Sequence, residues 1–234
     1  MTAVAHCSGR RRVLTALLGA AVGLALPVTW PRAHAQTKQQ PPGQAVVLVV
    51  GDSLSAEYGL ERGRGWVALL DERIAQQKLR ARIVNASISG DTTSGGRSRL
   101  PALLVQHKPT HVILELGGND ALRGLPLAMT QDNLSTMARA AKDSGARVLV
   151  AGMQMPPNYG RKYGEDFAAL FASVAKSEGA ALVPFLLKGV ADIADSEEKM
   201  FQPDRIHPKE SAHPIILGNV WPVLLPLIRS GSSK

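Results

Sequence analysis

The 234-residue chain has a single cysteine, Cys7, and few aromatic residues: 4 Phe, 3 Trp and 3 Tyr. One cysteine excludes an internal disulfide, so the fold is held by its core. About 200 residues can bury one. No G-x-x-x-x-G-K-[ST] is present, and no G-x-G-x-x-G follows a strand, so nucleotide binding has no support. No G-x-S-x-G elbow is present either. His107, His111 and His213 lack metal-ligand spacing. No long Lys/Arg run occurs, which argues for a solvated mixed surface and against nucleic-acid binding.

The formal net charge of +8 is unevenly spread. Residues 1–35 hold Arg10, Arg11, Arg12 and Arg32 and no acid. Removing those four from 27 basic residues leaves 23 against 19 acidic ones, a net +4. Arg10–Arg12, the apolar run Val13–Leu26 and Ala33-His34-Ala35 form the three parts of a secretory signal. The apolar run is short for a bilayer span of about 20 residues. The reading is a signal peptide over 1–35, a polar, proline-bearing lead-in over 36–44 and one domain over 45–234. The mature protein is then periplasmic or secreted, without a stable membrane anchor, and by default a monomer. Tandem arginines permit the twin-arginine route as well as the general one. Cys7 precedes the apolar run and is not placed like a lipoprotein cysteine.

The body alternates strands with helices. Ala45–Val50 is a continuous apolar run, the pattern of a central parallel strand buried on both faces. Trp66, Leu69, Leu70 and Ile74 mark a helix over about 65–78, with Trp66 as a core anchor. Further strands are predicted at 81–85, 111–116, 146–150 and 180–184, and helices near 95–107, 130–143 and around Phe167–Val174. Pro101 suits the first part of its helix better than the middle. Lys209–Ile228 reads as helix broken or kinked by Pro214, Pro222 and Pro226. Five strand–helix alternations imply a parallel sheet with helices on both faces. Right-handed crossovers bring the loops after the first three strands to one edge. Those loops carry Ser53, Gly90 and Asn119.

Ser53 follows the first strand in Gly51-Asp52-Ser53-Leu54-Ser55, where ligands bind in open α/β sheets. It is either a nucleophile or a helix cap. A serine nucleophile needs a base. His207 is the candidate, because Asp204 lies three residues earlier, close enough on one helical turn to fix its tautomer. Acyl transfer also needs donors for a developing oxyanion. The Ser53 and Gly90 backbone N–H groups and the Asn119 amide are available, although Gly90 and Asn119 also suit ordinary turns. Asp52 and Asp120 read as loop hydrogen-bonding residues, and Glu115, inside a strand, as a carboxylate that is either paired or at the strand margin.

Four ordered blocks resemble the SGNH hydrolase (GDSL esterase) superfamily: Gly51–Ser55, Asn85–Thr93, Leu116–Asp120 and Asp204–Pro208. Leu100–Leu104, Glu115–Asp120 with Leu122-Arg123-Gly124, and Pro157–Arg161 are similar to its bacterial thioesterase I/protease I/lysophospholipase subfamily, including arylesterases. The likeness spans about 45–228. It implies a three-layer α/β/α flavodoxin-like fold with a five-stranded parallel sheet of order 2-1-3-4-5. It implies Ser53, Asp204 and His207 as catalytic residues, an oxyanion hole of Ser53, Gly90 and Asn119, and neither metal nor cofactor. The expected activity is hydrolysis of acyl esters and thioesters, on a small-molecule or lipid substrate. Leu122, Leu125, Met153, Met155 and Tyr159 are candidates for an acyl groove. A carbohydrate O-acetyl esterase of the same superfamily is the second enzyme reading, and a non-catalytic binding module the reading of another class. Arg205 stands where the superfamily commonly has a small residue, and the charged stretch Tyr58–Gly65 is also individual to this chain.

Overall fold

Val46 to Val50 are completely shielded from solvent, as their unbroken apolar pattern requires. They form the middle of β1, Ala45–Gly51. The structure is a computed structural model and describes residues 43–231. The expected signal peptide lies outside the described residues, as do positions 36–42 of the lead-in.

β2 (Ala81–Asn85), β3 (His111–Glu115), β4 (Arg147–Ala151) and β5 (Ala181–Val183) pair in parallel with β1 in the order β2-β1-β3-β4-β5. Gly51 lies opposite Glu115 and Val49 opposite Asn85, so β1 and β3 end at the same level and β2 two residues short of it. This is the order that the resemblance implied. The chain leaves β1 in one direction for β2 and thereafter builds the other way. With right-handed crossovers, that reversal puts the first helix on one face and the following ones on the opposite face. α1 (Trp66–Gln76) accordingly packs on α7 (His213–Gly231), while α2 (Thr93–His107) packs on α4 (Leu127–Asp143), and α4 on α5 (Arg161–Glu178). Two single-turn helices, α3 (Gly118–Leu122) and α6 (Ser196–Met200), sit in loops and carry no periodic signal.

Two proline expectations need correction. Pro101 lies in the interior of α2, not in its first part. It and Arg97, whose carbonyl loses its partner, are both solvent-exposed, so water can satisfy the freed group. The C-terminal segment is likewise one helix and is not broken. Pro214, Gly218, Pro222 and Pro226 recur every fourth residue and are all exposed. The carbonyls that prolines leave unbonded therefore face solvent. The opposite stripe, Ile216, Leu217, Val220, Leu224 and Ile228, is buried. By length and hydropathy α7 could cross a bilayer, but this apolar stripe packs on β4, β5 and α1.

The crevice of an open sheet falls where the winding reverses. Here that point lies between β1 and β3.

Candidate active site

β1 ends over a buried carboxyl group. Glu115, the last residue of β3, lies beside Gly51, and a Cβ on Gly51 would sit 2.6 Å from Glu115 Oε2. Only glycine lets the strand pass. Glu115 Oε2 accepts the Asp52 N–H at 3.3 Å and the Ser55 hydroxyl at 2.6 Å. Asp52 is also buried; its Oδ1 accepts the Leu54 N–H at 3.0 Å and its Oδ2 the Asn119 side-chain amide at 3.0 Å. Burial pushes the Asp52 carboxyl up to about 6, against the lowering effect of those two hydrogen bonds. Burial, then the neighbouring Asp52 charge, pushes the Glu115 carboxyl well above the ordinary carboxylate range. Ser53 thus stands on a turn pinned by two acids that the surroundings disfavour as anions.

The opposite side of the site is a loop closed by pairing of Phe201 with Pro208. Asp204 and His207 meet there through a side-chain-capped turn, which corrects the expected helical turn. Asp204 Oδ1 accepts the Ile206 and His207 N–H groups, both at 3.0 Å, and Arg205 takes a left-handed φ of 59°. Asp204 Oδ2 lies 2.6 Å from His207 Nδ1, and His207 Nε2 lies 2.8 Å from Ser53 Oγ. Burial alone would raise the Asp204 carboxyl, but the hydrogen bonds from His207 and Ile206 outweigh it and take it down to about 2. His213 braces this loop. Its Nδ1 accepts the Trp66 N–H at 3.0 Å, and the ring also bonds the Pro208 carbonyl. Accepting at one nitrogen requires a neutral ring, which burial favours by lowering the imidazole.

Ser53, Gly90, Asn119 and His207 line one cleft of about 350 Å³. The Ser53 and Gly90 N–H groups donate to nothing among the described residues. Asn119 spends one amide hydrogen on Asp52 and keeps the other. Gly90 has φ +78°, a conformation that suits glycine. A second cleft of about 430 Å³ adjoins the first and shares Gly118, Leu122, Met153 and Ile206 with it. Met155, Phe167, Phe185 and Phe201 line it further along, and Arg205 and Glu197, paired at 3.3 Å, stand at its edge. Of the groove candidates, Leu122 and Met153 line both clefts and Met155 the second. Leu125 and Tyr159 line neither. Leu125 closes the turn after α3 through its N–H to the Asp120 carbonyl, and Tyr159 sits on a 3-10 turn just before α5 with its ring partly in solvent.

Residues 49–215 match the model of the GDSL-like lipase/acylhydrolase family. Esterase TesA of Pseudomonas aeruginosa is 50% identical over 205 residues, covering 88% of this chain and 96% of that protein. The chain belongs to this family. As a family member it is an ester hydrolase. Thioesterase 1/protease 1/lysophospholipase L1 of Escherichia coli K12 is 39% identical over 186 residues, 80% of this chain and 86% of that one. Among solved structures, TesA aligns with a TM-score of 0.75 and 53% identity over 78% of this chain and 99% of its own. The psychrotrophic esterase EstA of a Pseudoalteromonas species, inhibited by monoethylphosphonate, aligns at 0.73 with 35% identity, over 80% of this chain and all of that one.

In this family member, several supporting residues carry no pattern in the sequence. Arg99 of α2 binds Asp91 at 2.8 Å, the Ala86 carbonyl and, at 3.3 Å, the Gly51 carbonyl, tying together the ends of β1 and β2. Asp120, fully buried beside Asn119, accepts the Thr93 N–H at 2.9 Å and the Thr93 hydroxyl. One carboxylate thereby joins the Asn119 loop to the segment after Gly90. His111 is a satisfied core histidine, placed 2.8 Å from the Thr110 hydroxyl and 3.0 Å from the Leu227 carbonyl.

Proposed function

We propose that the chain hydrolyses carboxylic esters and thioesters of acyl chains through a Ser53–His207–Asp204 triad and an acyl-enzyme. The observation that carries this reading is the hydrogen-bonded series Asp204–His207–Ser53, with spacings of 2.6 and 2.8 Å, opening on a cleft that Gly90 and Asn119 also line. His207 Nε2 takes the Ser53 proton while Oγ bonds to the acyl carbon. Asp204 holds the other ring nitrogen and supports the imidazolium. The oxyanion accepts from the Ser53 and Gly90 N–H groups and from the free amide hydrogen of Asn119. His207 returns the proton to the departing alkoxide or thiolate. Water then enters; its oxygen bonds to the acyl carbon as His207 takes its proton, the acyl–Oγ bond breaks, and His207 returns the proton to Ser53 Oγ. The acyl chain runs from the first cleft into the second, past Leu122, Met153 and Met155. That path favours an apolar acyl group. The relatives named esterase, thioesterase and lysophospholipase support the substrate class. The leader over 1–35 directs the enzyme to the periplasm or outside the cell. An intact mass for exported protein that does not begin at Gln36 would overturn the expected cleavage site.

The test is hydrolysis of p-nitrophenyl esters of two to sixteen carbons by purified protein, with Ser53→Ala in parallel. We expect activity on medium and long chains, and a loss on the order of 10⁴-fold or more in kcat for the variant. Retention within about tenfold in folded variant would refute the nucleophile assignment. Activity confined to acetate would redirect the reading to deacetylation.

A further inference from the structure

Tyr58 is half-exposed and lines the catalytic cleft, so it does not fill the core. Its ring lies on the His207 imidazole, with centroids 4.2 Å apart and planes at 34°. The stretch that carries it is unusually well fastened. The Tyr58 N–H reaches the Ser53 carbonyl at 3.4 Å. The Tyr58 carbonyl accepts the Gln202 side-chain amide at 2.9 Å, and the same Nε2 is 3.1 Å from the Pro208 carbonyl. The Gln202 backbone N–H donates to the His207 carbonyl at 2.8 Å. One glutamine thus joins the residue stacked on the histidine to the loop that bears the histidine. Gly59 has φ +72°, and a Cβ there would run into the Gln202 amide. Glu57, in a left-handed conformation rare for glutamate, accepts the Gly63 N–H at 3.1 Å and the Gly65 N–H at 2.8 Å. Local strain kept in place by several hydrogen bonds is a mark of a built feature.

We propose that Tyr58 is a positioning residue: its ring, clamped by Gln202, holds the His207 imidazole toward Ser53 and favours the imidazolium formed when Ser53 gives up its proton. The inference rests on the triad reading above. An aromatic face attracts a cation placed over it. Here that cation exists only in transit, between proton uptake from Ser53 and proton delivery to the leaving oxygen. The carboxylates that face His207 are Asp204, in contact, and Asp52, which lines the same cleft. The ring therefore adds to a charge that Asp204 already supports, and it also shields one side of the imidazole from water.

The experiment compares wild type, Tyr58→Phe, Tyr58→Leu and Ser53→Ala on two butyrate esters. p-Nitrophenoxide leaves without needing a proton, whereas ethoxide needs one from the imidazolium. We expect Tyr58→Leu to lower kcat/KM about tenfold on ethyl butyrate and only about threefold on p-nitrophenyl butyrate. Tyr58→Phe, which keeps the ring face, stays within about twofold on both. Gln202→Leu, which releases the clamp but leaves the ring, reproduces the leaving-group pattern at smaller size and serves if Tyr58→Leu folds poorly. Equal losses on the two esters, a change in KM alone, or failure of Tyr58→Phe to restore the rate would overturn the proposal. Wild-type rates in Tyr58→Leu beside a dead Ser53→Ala would sink this inference and spare the triad. An active Ser53→Ala would sink the triad itself.

Discussion

Two aspartates stand near Ser53, the nucleophile proposed above, and their surroundings act in opposite directions. Asp52 is buried at the end of β1, and burial takes it up to about 6. Asp204 lies on a loop with its side chain partly in solvent, and three donors take it down to about 2. Asp52 is held by the sheet, and its work is to orient Asn119. Asp204 is held by the backbone of its own turn, and in the proposed triad it orients His207. A carboxylate needed as a charge is best kept near water and well supplied with donors. A carboxylate needed as a fixed acceptor can be sunk into the core, and the cost is a preference for the protonated form.

Substitutions can break that contrast. Asp204→Asn keeps the shape but lets the wrong ring nitrogen carry the proton. We expect a loss on the order of 10⁴-fold in kcat with an unchanged melting temperature; a loss under about tenfold would show that Asp204 does not set the tautomer. Asp52→Asn leaves one acceptor oxygen for two donors, so Asn119 loses its fixed orientation. Here kcat falls about tenfold, the worth of one orienting hydrogen bond. The same variant separates the two aspartates by pH. A carboxyl raised in the folded state is destabilising as an anion, and this cost vanishes as pH falls from about 6 toward the ordinary carboxylate range. The Asp52→Asn gain in melting temperature is therefore larger at pH 8 than at pH 4. For Asp204 the sign is reversed: its contribution is present above the ordinary carboxylate range and is lost as pH falls through about 2. An Asp52→Asn stability change that ignores pH would refute the burial argument. The smallest effects concern Glu115. Glu115→Leu strands the Ser55 hydroxyl and the Asp52 N–H and costs about 2–3 kcal/mol in denaturant unfolding, whereas Glu115→Gln, which keeps an acceptor, costs under about 1 kcal/mol. Equal costs would mean that the charge, not the acceptor, is what matters there.

Much of this architecture is legible in the amino-acid order. The apolar runs at Ala45–Val50 and His111–Leu116 mark strands covered on both faces, and alternation with helices follows from them. Ser53, Gly90 and Asn119 each come just after a strand, so the topology alone gathers them, and His207 stands out among the histidines through Asp204. The supports are not legible in the same way. Gln202 meets Tyr58 across 144 residues, and no local period announces such a pair. Glu115 looks like an intruder in a strand until Gly51, Asp52 and Ser55 are seen around it. Leu125 and Tyr159 sit in loops at the correct edge, but spacing does not say which way a loop side chain faces. The prolines of α7 suggest a broken or kinked helix, because proline is unfavourable in a helix interior. Together with Gly218 they recur every fourth residue on the solvent face, which makes them tolerable.

The packing of α7 on α1 has a further consequence for how the molecule comes into being. A ribosome delivers the β1 end, with Ser53, long before it delivers His207. The layer that covers β1 on that side is unfinished until α7 emerges to join α1. The Trp66–His213 hydrogen bond spans 147 residues and fastens that seam next to the histidine loop. Contacts of such separation form late, because a long loop must close first. On the triad proposed above, a nascent chain therefore carries a serine without a base, and hydrolytic power arrives in the same step as the final seal of the fold.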